Sequence, residues 1–235
     1  MNTSLIFLAI IGAIVIWWMR RQGLLSKPWL EVGIAGEHHT GSKTAPAPNK
    51  KIGLGVFLAV VGALFSLAIS AYFMRMGLND WWAIPLPRIL WLNTAALAMS
   101  SIALHWAKVE AQNGENGAVK LALSLALMTT LAFLSGQFIA WQELVNAGYL
   151  VADNPSNSFF YLITGMHGLH IIGGLVALGR TMNGFWKKPN GGAAVLNIEL
   201  CAIYWHFMLL VWLVLFGLFA GWANDFVAIC RQLLS

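Results

Sequence analysis

Residues 158–174 read S-F-F-Y-L-I-T-G-M-H-G-L-H-I-I-G-G, and residues 199–207, in the next apolar segment, read E-L-C-A-I-Y-W-H-F. Each stretch lies within a run long enough to supply the about 20 residues that cross a hydrocarbon core of about 30 Å. Imidazole and carboxylate groups at that depth are costly and call for an explanation. The rest of the chain fits a membrane setting: of 235 residues, 59% are hydrophobic and 10% charged, against about 25% charged in soluble domains. The sequence therefore predicts an integral membrane protein whose function is to be sought in these two segments.

Working outward, six apolar segments occupy 4–19, 52–76, 88–107, 117–145, 157–184 and 193–222, each bounded by turn formers or charges. Strands of a membrane barrel would alternate over about 10 residues, and these segments do not. They are helices, which satisfy their own backbone groups in lipid. The fold class is an all-α polytopic membrane protein, with five core transmembrane helices in one bundle and one N-terminal anchor helix. The predicted organisation is an anchor over 1–21, a cytoplasmic linker over 22–51, a five-helix bundle over 52–222 and a tail over 223–235. The first segment ends in Met19-Arg20-Arg21, the reverse of a signal peptide, whose positive charge precedes its apolar run. The linker, with G-S-K-T-A-P-A-P-N-K-K near its end, is rich in loop formers.

A net charge of +5 and a pI near 9.4 do not imply a nucleic-acid partner, because the basic residues sit between the spans and form no stripe. Eleven of the fourteen Lys and Arg fall in alternate connections, after segments one, three and five. The positive-inside rule then puts both termini outside the cytoplasm. Cys201 and Cys230 have neither the number nor the spacing of a disulfide framework or a metal knuckle. His38-His39 lacks a Cys or carboxylate at ligand spacing.

His167 and His170, three apart, share one face of the fifth segment, with Gly165, Gly168, Gly173, Gly174 and Gly179 leaving the helix surface shallow around them. One reading is a tight packing face whose imidazoles bond across to neighbouring helices. Another is haem, held by His170 and His206 near mid-membrane depth on two helices. In the sixth segment Glu199 and His206 lie two turns apart on one face, with Tyr204 and Trp205 beside the histidine. A carboxylate there must be paired, hydrogen-bonded or protonated; as a buried polar anchor it is structural, and as part of a relay it would carry protons. Gln137 and Trp141, one turn apart in the fourth segment, are suited to bonding a facing helix. Asn93-Thr94 and Ser100-Ser101 are small polar glue in the third, and His105-Trp106 reads as an interfacial pair. No nucleophile with its base, phosphate loop or metal cage is evident.

The run Phe159 to Gly174, followed by Glu199, Tyr204-Trp205-His206-Phe207 and Val211-Trp212-Leu213, resembles subunit III of the haem-copper cytochrome c oxidases. Weaker agreement runs back through Gln137, Leu92-Asn93-Thr94 with Ser100-Ser101, and Ala71-Tyr72-Phe73, so it covers roughly 52–222 and leaves out the anchor and linker. The resemblance implies a non-redox subunit of the bacterial plasma membrane, in the electron transport chain of aerobic respiration. Such a subunit packs beside catalytic subunit I, with subunit II, binds phospholipid in a cleft, and supports proton uptake and durability. It implies no catalytic residue, metal or cofactor in this chain, the haem and copper belonging to the partner subunits. The polar core it points to is His167, His170, Glu199, Tyr204, Trp205, His206, Trp212, Gln137 and Trp141. Two departures stand out: the family often has a carboxylate where Val61 aligns and an Asp where this chain has Leu209, so roles attached to those groups do not carry over. Their loss is similar to the shorter bacterial members, including those associated with nitric oxide reductase. A partner oxidase, a partner nitric oxide reductase, and a haem b carrier or quinol-oxidising anchor using His170 and His206 stand as the readings to separate. A secondary transporter would show inverted repeats and broken helices, which this chain lacks.

Overall fold

The computed structural model describes residues 48–221 except 77, 79, 83, 190 and 191. The anchor over 1–21, His38-His39 and the tail over 223–235 lie outside the described residues, as does the linker up to residue 47. Five helices follow one another: α1 Pro48–Met76, α2 Ile89–Asn113, α3 Asn116–Asn146, α4 Pro155–Lys187 and α5 Gly192–Phe219. No strand occurs among the described residues, and all five helices are long and apolar enough to cross a membrane. This is a multi-pass helical membrane bundle.

The helices outrun the apolar segments where nothing breaks them. α1 starts at Pro48, four residues inside the predicted linker, because proline is tolerated in a first turn whose N–H has no helical partner. α2 continues through polar residues to Asn113 and stops at Gly114, whose φ of 81° is the left-handed conformation glycine adopts without strain; its N–H donates to Glu110 O. α4 begins with Pro155 after the N-cap Asn154, whose side chain accepts from Ser156 N at 3.0 Å. Its 33 residues span about 50 Å at about 1.5 Å per residue, more than the hydrocarbon thickness. α5 ends at Phe219, before residue 222, where the chain turns into Gly221 with φ +80°.

Short connections make successive helices antiparallel. α2 and α3 pack along most of their length, α5 lies against α2 and α4, and α1 rests mainly on α4 and α5. One core holds Leu97, Leu104, Leu123, Phe133, Phe160, Trp205, Met208 and Trp212. A second, of Val61, Phe65, Ile69, Tyr72, Ile163, Val211, Leu215 and Leu218, fastens α1 to α4 and α5. Large apolar side chains such as Leu67, Met74 and Leu92 point outward, as helices in lipid require. Between α1 and α2, Arg75 pairs with Asp80, holding that carboxyl below the usual carboxylate range by hydrogen bonding and charge. Lys50, Lys51, Lys108, Lys120, Lys187 and Lys188 gather at one end of the bundle, since they lie at the start of α1 and α3 and towards or beyond the end of α2 and α4.

Candidate functional site

Three indoles tie the bundle together in one repeated way. Trp212 Nε1 of α5 donates to Thr94 Oγ1 of α2 at 2.9 Å, Trp205 Nε1 of α5 to Thr130 Oγ1 of α3 at 3.2 Å, and Trp141 Nε1 of α3 to Thr164 Oγ1 of α4 at 3.1 Å. Each threonine passes its own proton to the carbonyl four residues back, Leu90 O, Ala126 O and Phe160 O. A threonine in a helix reaches that carbonyl readily, which leaves its lone pairs for the incoming indole. Ser100 of α2 joins the middle link, 2.7 Å from Thr130 Oγ1. Thr130 and Thr164 were not singled out from the sequence; an isolated mid-helix threonine gives no signal until a tryptophan is placed opposite it.

His167 is fully buried, its Nε2–H donating to Met208 O of α5 at 3.1 Å and its ring packed against Phe65, Phe133 and Trp212. It bonds across helices. His170 does not: its Nδ1–H returns to Met166 O, 2.8 Å away on its own helix, and it is Tyr204 Oη that bridges the two helices by donating to His170 O at 2.7 Å. Both imidazoles flank Phe65, so the shared face holds.

Along α2 and α5 runs an antiparallel ladder of contacts. Glu199 receives Lys108 of α2 at 3.8 Å and Lys51 of α1 at 2.9 Å. His206 meets Ser101 through Nδ1 and His105 through Nε2, the latter at 3.4 Å with the imidazoles stacked. Trp212 meets Thr94, and Trp91 meets Phe216 edge-on with centroids 4.7 Å apart. His105 thus stacks on His206 of α5 while remaining exposed one turn from Lys108. Its place was legible in part: Ser101, His105 and Lys108 stand four and then three apart on α2, matching the seven-residue spacing of Glu199 and His206 on α5. What the spacing did not give was the register that sets them opposite each other.

The glycines of α4 divide into two sets. A Cβ on Gly174 would lie 2.5 Å from Tyr204 Cε1 and 3.1 Å from two Trp205 ring atoms, so this position holds α4 and α5 close. Gly168, Gly173 and Gly179 have nothing within 4 Å of such a Cβ. Gly173 instead opens on a cleft of about 390 Å³ between α1, α4 and α5, lined by Leu54, Phe57, Leu169, His170, Tyr204 and Cys201 among others. Its walls are almost wholly apolar.

The two histidines of the haem reading are not brought together. His170 lies beside the Tyr204 side of α5, whereas His206, two residues further on, projects from the opposite side towards α2; at about 100° per residue two positions differ by about 200°. One iron cannot take both. Among the described residues no group of three His, Cys, Asp or Glu is placed to hold a metal. Gln137 Oε1 accepts from Asn93 Nδ2 of α2 at 3.4 Å, while Trp141, one turn on, turns to α4. Gly136 lies so close to Asn93 that a Cβ there would collide with its amide. At the two departures, Val61 is buried against α4 and α5 and Leu209 is partly buried against the core, both apolar contacts.

Residues 29–224 match the family model described as cytochrome c oxidase subunit III. The match starts inside the linker, earlier than the motif resemblance at residue 52. The chain is 30% identical over 209 residues to cytochrome c oxidase subunit 3 of Yarrowia lipolytica, covering 83% of this chain and 76% of that one. It is 26% identical over 178 residues to the subunit 3 of Thermostichus vulcanus, covering 71% and 84%. With the subunit 3 of Synechocystis sp. the figures are 26% over 179 residues, 71% and 73%.

Proposed function

The chain belongs to the cytochrome c oxidase subunit III family, and from that premise we propose that it serves as a non-redox subunit packed beside the catalytic subunit I of a respiratory haem-copper oxidase, with subunit II in the same assembly. The observation that carries this reading is the use to which the mid-membrane polar groups are put. Trp141, Trp205, Trp212, His167 and Tyr204 each bond a neighbouring helix, which builds a rigid scaffold across the bundle. The haem and copper belong to the partners, and this chain binds no redox metal.

The apolar cleft between α1, α4 and α5 supports a place for phospholipid tails, with Lys51 near its mouth for an anionic head group. The lysine-rich end of the bundle favours the cytoplasm by the positive-inside rule, which puts the start of α1 on the inner side and the end of α5 on the outer side of a bacterial plasma membrane. Held against the catalytic subunit, scaffold and lipid shield its cytoplasmic proton entry and protect it during turnover. An oxidase without this chain is expected to begin near the normal rate and then inactivate as it turns over, sooner at higher pH where protons are scarce. Oxygen uptake against time over a pH series, with and without the chain, tests this. Superimposable progress curves would restrict the chain to assembly. Stoichiometric haem retained by the purified chain alone would refute the non-redox reading. Co-purification with a nitric-oxide-reducing enzyme in place of an oxidase would favour the second partner suggested by the apolar residues at Val61 and Leu209.

A further inference from the structure

Inside the bundle, Gln137 Nε2 of α3 and His167 Nδ1 of α4 are buried with no hydrogen-bond partner among the described residues. They are complementary: the amide nitrogen is a donor, and the imidazole nitrogen, with the ring proton on Nε2 for Met208 O, is an acceptor. Gln137 is 3% exposed and His167 0%, so neither group reaches lipid or bulk water. The Gln137 amide is oriented from α2. Asn93 Oδ1 lies over the backbone of Gly136, where a Cβ would collide with it, a place that suits a carbonyl oxygen against a Cα–H and not an NH2 group. Asn93 Nδ2 therefore turns to Gln137 Oε1, at 3.4 Å, and Gln137 Nε2 is left to bond elsewhere.

The same neighbours enclose both atoms. Phe133, one turn before Gln137, packs edge-on to His167 with ring centroids 5.7 Å apart, and Trp141, one turn after it, donates to Thr164, one turn before His167. On the α2 side Thr94, next to Asn93, takes the indole of Trp212, whose ring lies 5.1 Å from that of His167 and 5.0 Å from that of Phe133. A further unpartnered atom, Asn157 Oδ1, is about 15 Å from His167 along α4 at about 1.5 Å per residue and has no part in this layer. A buried donor and a buried acceptor shut in by the same rings, and not within bonding distance of each other, are satisfied together by one water, whose oxygen accepts from the amide and whose hydrogen goes to the imidazole.

We propose that a single water molecule is bound here, bridging Gln137 Nε2–H and His167 Nδ1. It completes a hydrogen-bonded chain through four helices, from Asn93 of α2 through Gln137 of α3 and His167 of α4 to Met208 O of α5, wrapped around the Trp212 indole. Every protein group in it belongs to this chain and is buried, so the site is independent of the subunit role proposed above.

The test uses the full chain in lipid nanodiscs with nitrogen-15 in its glutamines and histidines. Magnetisation transferred from water is expected to reach both the Gln137 side-chain amide and the His167 ring, and in Gln137→Met the transfer to His167 is expected to vanish. Opening of the bundle, followed by thiol labelling of the buried Cys201 in a Cys230→Ser background, is expected to speed up by about 5–150-fold in Gln137→Met and in His167→Phe, the effect of stranding a buried partner. The double variant is expected to fall well short of the product of the two, because both remove one bridge. Rates that multiply would overturn the bridge, as would transfer to His167 undiminished in Gln137→Met. A nitrogen–nitrogen coupling between Gln137 and His167 with no water transfer would replace the water by a direct bond. Water reaching neither group in the unaltered chain would remove the site, and that reading needs no variant to assemble.

Discussion

Gly174→Ala, compared with Gly173→Ala, separates close helix packing from open surface at adjacent residues of one helix. The new Cβ at 174 falls 2.5 Å from Tyr204 Cε1 and 3.1 Å from Trp205 Cη2 and Cζ3. Neither ring is free to swing: Tyr204 Oη is bonded to His170 O at 2.7 Å, and Trp205 Nε1 to Thr130 Oγ1 at 3.2 Å. Either α4 and α5 part or one of those bonds is lost. Overpacking of this kind costs about 1–3 kcal/mol, set against a gain of about 0.5–1 kcal/mol for removing a glycine from a helix, leaving a net loss of up to about 2.5 kcal/mol and centred a little above about 1 kcal/mol. At 173 only the gain applies, because nothing lies within 4 Å. Cys201 provides the assay: it is 6% exposed and sits where α5 faces α4. In a Cys230→Ser background, labelling of Cys201 by a thiol dye follows opening of the bundle. A loss a little above about 1 kcal/mol raises the labelling rate by about 5–10-fold for Gly174→Ala, while Gly173→Ala labels no faster than the parent. Equal rates for the two variants would refute the assignment of Gly174 as the packing glycine.

The same labelling assay applies to the indole links. Thr130→Val strands Trp205 Nε1–H in the core and is expected to cost about 1–3 kcal/mol; Thr129→Val, whose hydroxyl bonds only its own helix, stays within about 0.5 kcal/mol, and parity between them would count against the Trp–Thr link. Glu199→Leu is expected to be milder than His206→Leu: its side chain is 23% exposed with lysine partners that can turn to water, so its ion pairs are worth up to about 1 kcal/mol, whereas His206→Leu leaves the buried Ser101 hydroxyl unpaired at about 1–3 kcal/mol. The amount of subunit held in the purified complex measures both, and a larger loss for Glu199→Leu would reverse the ranking. A topology reporter after Lys188 is expected to signal cytoplasm and one at Asn154 the outside; the opposite pattern at both sites would invert the bundle.

From the sequence alone come the helical membrane bundle, its five spans and the family. The bilayer forces a spanning segment to be a helix and so makes length and apolarity sufficient signals, and the His and Trp motifs of the last two spans are distinctive as strings. Glu199 and His206 on one side of α5, His167 and His170 on one side of α4, and the need of Glu199 for partners also follow from spacing and charge. Tertiary structure decided what each group does. His170 turned back to its own helix, His105 joined His206, Thr130 and Thr164 became acceptors for indoles, and of two neighbouring glycines one is wedged against Tyr204 and the other open. The helices are apolar on every side, because their outward faces meet lipid and their inward faces meet each other, and no periodic pattern marks which face turns in. The register between α2 and α5, which sets Lys108 opposite Glu199 and Ser101 opposite His206, is fixed only when two helices have packed.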